Sequence, residues 1–292
     1  MTLISLLIAL FIERFSSAFE EWRNLDLFAN YARKLSAFAG RYGNVDGYLG
    51  LALILLPPLI LVSLLQGVLS AILLGLLGMV FAIVVLVLAL GRDLEEDANR
   101  YVEACATGGE GKVRSAAAVF LRDEEPAAEC DLLQKVVESI FVEANNRYFA
   151  VIFWFLLLGP VGAVLYRLSV ELKLRRDISG EGLSSAAAFW VALLDWAPAR
   201  LAAMAYALTG SFEHALAPLR KHLFTGFVNL QADNSAVLAK GGSEAIVLDQ
   251  YLKDEVDARL VGIVMGLVSN LLLRSLAVWI GVIALMTISN LI

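Results

Sequence analysis

Two long apolar runs lie almost end to end near the start of the chain. YLGLALILLPPLILVSLLQG fills residues 48–67 and LSAILLGLLGMVFAIVVLVLALG fills residues 69–91. Each can cross ~30 Å of hydrocarbon as a helix. Inside lipid every backbone N–H and C=O needs a partner, so only helices and closed barrels span it. No period-two alternation of the kind a barrel strand needs is present, and the short link predicts a tight helical hairpin. Pro57 and Pro58 must kink the first run and leave carbonyls in need of another donor. Gly75 and Gly78 offer small surfaces for close helix approach, or serve as filler.

Further apolar runs cover residues 148–170 and 259–289. Residues 184–209 are long enough to cross but carry Asp195, Pro198 and Arg200 near their centre, which marks a possible broken span. Arg274 sits in the middle of the last run. A charge there is costly unless it faces protein or snorkels to the interface. That run also exceeds one bilayer crossing, so it tilts or its ends protrude.

The composition agrees. The chain is 59% hydrophobic and 18% charged, with a mean hydropathy of +0.74, whereas soluble domains carry about a quarter charged residues. The formal charge of −6 argues against nucleic acid as a partner, because phosphate binding needs a basic surface. The fold class expected is all-α: a polytopic helical membrane protein of four to five spans, one integral membrane domain over residues 1–292. Amphipathic helices should lie at its cytoplasmic interface, and the lipid bilayer is its first partner.

Polar segments occupy residues 13–46, 92–147 and 210–258. In the first, Phe15, Phe19, Trp22 and Leu25 to Leu27 recur at helical spacing. They predict one or two amphipathic helices, lying on the membrane surface or packed on a soluble subdomain. In the second, Leu94, Ala98, Tyr101 and Val102 share a helical face, and TGGEGKVRS then breaks the helix. That stretch is no phosphate loop: Val113 follows Gly111-Lys112, Ala106 stands where the first glycine belongs, and no strand precedes it. In the third, FEHALAPLRKHL is amphipathic and Gly241-Gly242 reads as a break.

Residues 13–46 hold five basic residues and residues 92–147 hold seven. The hairpin places these segments on one side, taken as cytoplasmic because Lys and Arg accumulate there. Lys173, Arg175 and Arg176 pull the other way. If residues 184–209 cross, the 210–258 segment joins that side; if not, it lies outside. The N-terminal MTLISLLIALFIERF lacks a basic leader and a small-residue cleavage site, so it reads as a retained short helix.

Cys105 and Cys130 form no CxxC pair and read as unbridged structural thiols, a disulfide or redox switch being the alternative. His214 and His222 could share a helix face, but two ligands do not make a metal site. No catalytic triad, metal ligand set or dinucleotide fingerprint occurs, so neither catalytic residue nor cofactor is expected from the residues.

Three polar constellations remain. On a helical wheel of residues 131–147, Asp131, Lys135, Glu138 and Asn145 make a wet stripe opposite Leu132, Leu133, Val136, Val137, Ile140, Phe141, Ala144 and Tyr148. Glu143 and Arg147 fall within the apolar arc, spaced i, i+4 with Glu first, the favourable order for an ion pair. They form a polar site at the mouth of the bundle, or an interfacial pair that stops the helix sliding into lipid. In LLDWAPARLAAMAY, Pro198 cannot bond back to residue 194, so the helix should break or begin there, with Asp195 as N-cap. Such a helix start attracts anions, and Arg200 would add a permanent positive charge; an internal Asp195–Arg200 pair is the structural alternative. Arg167 and Glu171, also i, i+4, read as an interfacial pair. The candidate ligand-binding residues are thus Glu138, Glu143, Asn145, Asn146, Arg147, Asp195 and Arg200, and the ligand expected is anionic.

MTLISLLIALFIERF, LLDWAPARLAAMAYALTG and VVESIF…NNRYFAVIFWFLLLGP together resemble the AmpE family, along the whole chain and in the order of spans. The resemblance implies a multi-pass protein of the bacterial inner membrane that modulates β-lactamase induction, a response tied to cell-wall recycling. A muropeptide-like or phosphorylated ligand fits that setting. More distantly the chain is similar to the CobD/CbiB superfamily, membrane enzymes that form an amide bond in cobalamin assembly. Val137-Glu138-Ser139 matches that superfamily's V-E-S, Ala150 to Trp154 its A-P-L-F-Y, Tyr166-Arg167 its Y-K, and Pro198-Ala199-Arg200-Leu201 its P-A-R-L. Val142 to Arg147 replace its E-N-T-S-D-G stretch. Asp195 stands where Asn is usual, and Val170 and Lys173 stand where the superfamily has Asn and Asp. The scaffold elements are kept and the polar residues exchanged, which points away from ligase catalysis and toward a regulatory or sensor role. Amide-ligase activity and solute transport are the alternatives.

Overall fold

A computed structural model of the chain describes residues 2–15, 26–39, 47–71, 75–91, 93–121, 129–223, 229–252 and 256–289. Every regular element among them is helical. Five described helices are long and apolar enough to cross a membrane: they begin at Tyr48, Leu76, Leu132, Gly182 and Ala258. The chain divides into two compact units. Residues 1–92, 150–195 and 290–292 make one, and residues 93–149 and 196–289 make the other.

The first unit is built on the hairpin read from the sequence. Helix α3 (Tyr48–Ala71) turns into α4 (Leu76–Ala89). A Cβ on Gly78 would lie 3.0 Å from Ser70 Cα, so the two helices meet closely at this point. Helix α1 (Thr2–Phe15) packs on α4, and α9 (Pro160–Leu174) packs on α3, α4 and α8 (Ala150–Leu158). Helix α2 (Asp26–Ala39) lies on α3 and buries Ala29 and Ala32. Those two alanines join Leu51, Ile54, Leu55, Leu168, Leu172, Leu183 and Ala187 in one apolar cluster. The described part of the first polar segment is therefore packed against a membrane helix. Phe19, Trp22 and Leu25 lie outside the described residues.

Prolines inside helices orphan the carbonyl four residues back. Pro58 frees the carbonyl of Ile54, and Tyr31 Oη donates to it at 3.4 Å. Pro198 frees that of Leu194, and Trp154 Nε1 donates to it at 3.1 Å. Satisfied in this way, α10 (Arg176–Thr209) runs unbroken through Pro198. The break expected at Pro198, with Asp195 as a helix cap, is not formed.

The apolar run at 148–170 is not one span either. A helix beginning as α7 (Glu129–Ala144) continues through a π-helical turn (Asn145–Phe149) into α8 and ends at Leu158. Gly159 adopts φ 66° and ψ −153°, a region closed to side chains with a Cβ. Pro160 follows as a helix start, and α9 turns back against α8. The helix long enough to cross here is Leu132–Leu158.

In the second unit, α5 (Leu94–Thr107) and α6 (Glu110–Leu121) pack on each other, and the break expected in TGGEGKVRS falls at Gly108-Gly109, the EGKVRS part being helical. Helix α6 packs on α7, and α11 (Phe212–Leu223) pairs with α12 (Leu230–Ala245), which in turn lies on α7. After the short α13 (Leu248–Tyr251), α14 (Ala258–Ile288) packs on α5 and α7. Gly241 and Gly242 do not break α12. A Cβ at Gly242 would lie 2.2 Å from the Phe141 ring and one at Gly241 3.3 Å from Ala203 Cβ, so Gly242 admits α7 and Gly241 admits Ala203 rather than ending a helix.

Candidate functional site

The π turn supplies the centre of the second unit's polar core. A π turn inserts an extra residue into a helical turn and re-aims the side chains around it. Here it holds Asn145, Arg147 and Phe149 buried. Arg147 Nε donates to Glu143 Oε2 at 3.2 Å, the ion pair read from the sequence. Its Nη1 donates to Asp97 Oδ2 at 2.7 Å. Asn146 Nδ2 reaches Glu143 Oε1 at 3.5 Å. Arg147 thus lies between two buried carboxylates, and Arg100, itself paired with Glu96, brings its Nη1 to 4.0 Å from Asp97 Oδ1.

Asp97 occupies the first turn of α5, where the helix dipole favours negative charge. The start of that helix is closed twice more. Asp93 accepts from Glu95 N at 2.9 Å, and the Leu94 N–H donates to Tyr148 Oη at 3.3 Å. Beneath the triad, the Tyr206 ring lies 5.1 Å from Phe141 and 5.7 Å from Phe149, and Phe149 lies 5.4 Å from Trp279. Tyr206 Oη donates to the Phe141 carbonyl at 3.3 Å.

Arg200 belongs to the same unit. Its Nη1 donates to Asn234 Oδ1 at 2.9 Å and to the Trp196 carbonyl at 2.9 Å. The guanidinium carbon sits 4.7 Å from the centroid of the Trp196 ring, a cation–π contact.

Asp195 is in the first unit, buried, where its Oδ1 accepts from Tyr166 Oη at 2.6 Å. Glu171, also in that unit, takes Arg175 as its ion-pair partner, and Arg175 Nη1 reaches Asp26 Oδ1 at 3.0 Å. Spacing points to Arg167 as the partner of Glu171; the ion pair the structure gives Glu171 is with Arg175, which has Glu first and so the better helical order.

Of the seven predicted site residues, the structure brings Glu143, Asn146 and Arg147 together. Asn145 is buried beside them. Glu138 is half-buried one turn and a half away and accepts from Gln134 Nε2 at 3.0 Å. Arg200 and Asp195 take the separate partners described above. Sequence reasoning missed Asp97 and Asn234. Both had a signal, because each lies on the apolar face of its helix: Asp97 beside Leu94 and Tyr101, Asn234 beside Leu230 and Val237. Cys105 is half-buried on α5. His214, exposed, shares a 2.8 Å hydrogen bond with Ser211 Oγ. The side chains of Cys130 and His222 lie outside the described residues. Among the described residues no group of three or more His, Cys, Asp or Glu is placed to hold a metal ion.

Residues 1–291, in effect the whole chain, match the family described as regulatory signalling modulator protein AmpE. The chain belongs to the AmpE family. Membership does not separate it by sequence from proteins named for cobalamin biosynthesis. It is 34% identical over 186 residues to the cobalamin biosynthesis protein CobD of Stutzerimonas stutzeri, covering 61% of this chain and 58% of that one. It is 34% identical over 142 residues to the CobD of Chromobacterium violaceum, covering 47% and 46%. The AmpE-family chain therefore spans about half to three fifths of the length of these curated relatives. No solved structure matches it significantly.

Proposed function

We propose that this AmpE-family protein is a regulator of the bacterial inner membrane, acting between cell-wall recycling and β-lactamase induction. The match of residues 1–291 to a regulatory family carries the reading. The site is consistent with it: Arg147 is committed to Asp97 and Glu143, so the π turn holds a polar latch rather than a reactive group.

The effector we propose is anionic, muropeptide-like or phosphorylated, and Arg200 is the residue that receives it. Arg147 faces two carboxylates that an incoming anion would have to displace. Arg200 hydrogen-bonds to amide and carbonyl oxygens, with the Asp233 carboxylate close enough to act on it, and a hydrogen bond to a charged acceptor is stronger, about 1.5–3 against 0.5–1.5 kcal/mol. In a strain carrying Arg200→Ala, β-lactamase induction should change while the protein still accumulates in the membrane, and Arg200→Lys should restore it in part. Normal induction in a clean deletion strain would remove the regulatory reading altogether.

The relatives named CobD favour a second reading, a divergent amide-forming ligase. It requires the chain to support cobalamin formation in a strain lacking its own CobD, and a nucleotide to shift its thermal unfolding.

A further inference from the structure

Helix α14 is 31 residues long, about 46 Å at the helical rise, and a bilayer core takes only ~30 Å of it. Where the surplus lies follows from three observations within the second unit.

The first half of α14 runs along α5. A Cβ at Gly262 would touch Val102 Cγ1 at 3.9 Å. The opposite face of α5 is charged and wet: the Arg100 and Glu96 side chains are paired and 55% and 42% exposed. A helix with that face does not sit in hydrocarbon, so neither does the stretch of α14 beside it. Next, Ser275 Oγ lies 2.8 Å from Thr209 Oγ1. Thr209 closes α10 just before α11, on which Glu213 and His214 are exposed. Ser275 is therefore level with the entry to another water-facing helix.

Lastly, the exposed stripe of α14 changes character along its length. It reads Arg259, Ile263, Gly266 and Asn270, then Leu273 and Arg274, and then Ala277, Gly281, Val282, Leu285, Met286 and Ile288. Arg274 itself is exposed, and among the described residues it makes no ion pair. At the bilayer midplane such an arginine would be untenable; at the boundary its stem lies in the apolar zone and its head reaches phosphate.

The geometry points to Arg274 as the level at which α14 enters the bilayer, with its guanidinium on lipid headgroup phosphates and residues 258–272 standing in water as part of the α5–α7–α12 bundle. Residues Leu273–Ile288 then supply about 24 Å of inserted helix, a few ångströms under the full core, a mismatch that local thinning and the snorkelling arginine take up. The apparent mid-span charge is an interface marker.

Single cysteines placed on the exposed stripe test this in membrane vesicles, in a chain whose Cys105 and Cys130 are replaced by serine. Gly266 and Gly281 are suited to it, since a Cβ at either meets open space. Gly266→Cys and Asn270→Cys should react with a membrane-impermeant maleimide from the same side as Glu103→Cys on α5, and Gly281→Cys and Leu285→Cys from neither side. Protection of both Gly266→Cys and Asn270→Cys, or labelling of Leu285→Cys, overturns the assigned level. Adding Arg274→Ala to Asn270→Cys should slow its labelling several-fold as the helix sinks, and Arg274→Lys should leave it close to the original rate. If Arg274→Ala changes nothing, or if free inorganic phosphate abolishes the difference, the headgroup contact is refuted.

Discussion

The two units answer the same problem, buried polar groups, with different chemistry. In the unit formed by residues 1–92 and 150–195, neutral aromatic donors serve most of these groups, Glu171 with its Arg175 apart. Tyr31 and Trp154 cover carbonyls freed by proline, and Tyr166 covers Asp195. In the unit formed by residues 93–149 and 196–289, full charges answer full charges, with Arg147 held between Asp97 and Glu143. A neutral donor can be removed at the cost of one hydrogen bond. A buried ion removed from its partners leaves an uncompensated charge, which is far more expensive.

The largest effect should come from Arg147→Ala, which strands Asp97 and Glu143. Unfolding of the purified protein in detergent should show a loss of about 3–5 kcal/mol, and a loss under 1 kcal/mol would break the contrast. Next comes Tyr166→Phe, which takes the donor from a buried carboxylate. About 1–3 kcal/mol is expected for a hydrogen bond to a charged group left unmade, read in the same melt.

Trp154→Phe should cost about 0.5–1.5 kcal/mol, and the sharper test is its rescue. Pro198→Ala restores a backbone N–H to Leu194, so Trp154→Phe should cost less in that background. Equal costs with and without Pro198 would show that the indole does not serve the orphaned carbonyl. The smallest effect belongs to Asp26→Asn. Arg175 and Asp26 are 30% and 59% exposed at the side chain, and exposed pairs are worth about 0–1 kcal/mol. Thermal melts of this variant should nearly overlay those of the unaltered protein.

Much of this was visible in the sequence, because lipid imposes simple rules. The apolar runs gave the α3–α4 hairpin, the TGGEGKVRS glycines gave the break between α5 and α6, and the i, i+4 order gave Glu143–Arg147. The helix wheel even placed that pair on the buried face. What it could not give were partners distant in the chain. Asp97 lies 50 residues from Arg147, and Trp154 lies 40 from Leu194. The unbroken α10 was misread for the same reason: a proline breaks a helix only if nothing else satisfies the freed carbonyl. Gly241-Gly242 was misread because glycine opens space for a neighbour as readily as it ends a helix, and the neighbours here are Ala203 and Phe141.

The π turn at residues 145–149 has a consequence for the phase of the helix around it. A turn with one residue too many rotates everything after it by about 100° relative to an uninterrupted α-helix. Helix α8 therefore presents a face set by the turn and not by α7. Removing Asn146 would restore regular winding and shift the phase of every later residue of that helix by the same angle, although every other residue of the membrane segment stayed the same. In this chain a single residue acts as a spacer that keys one stretch of helix to the next.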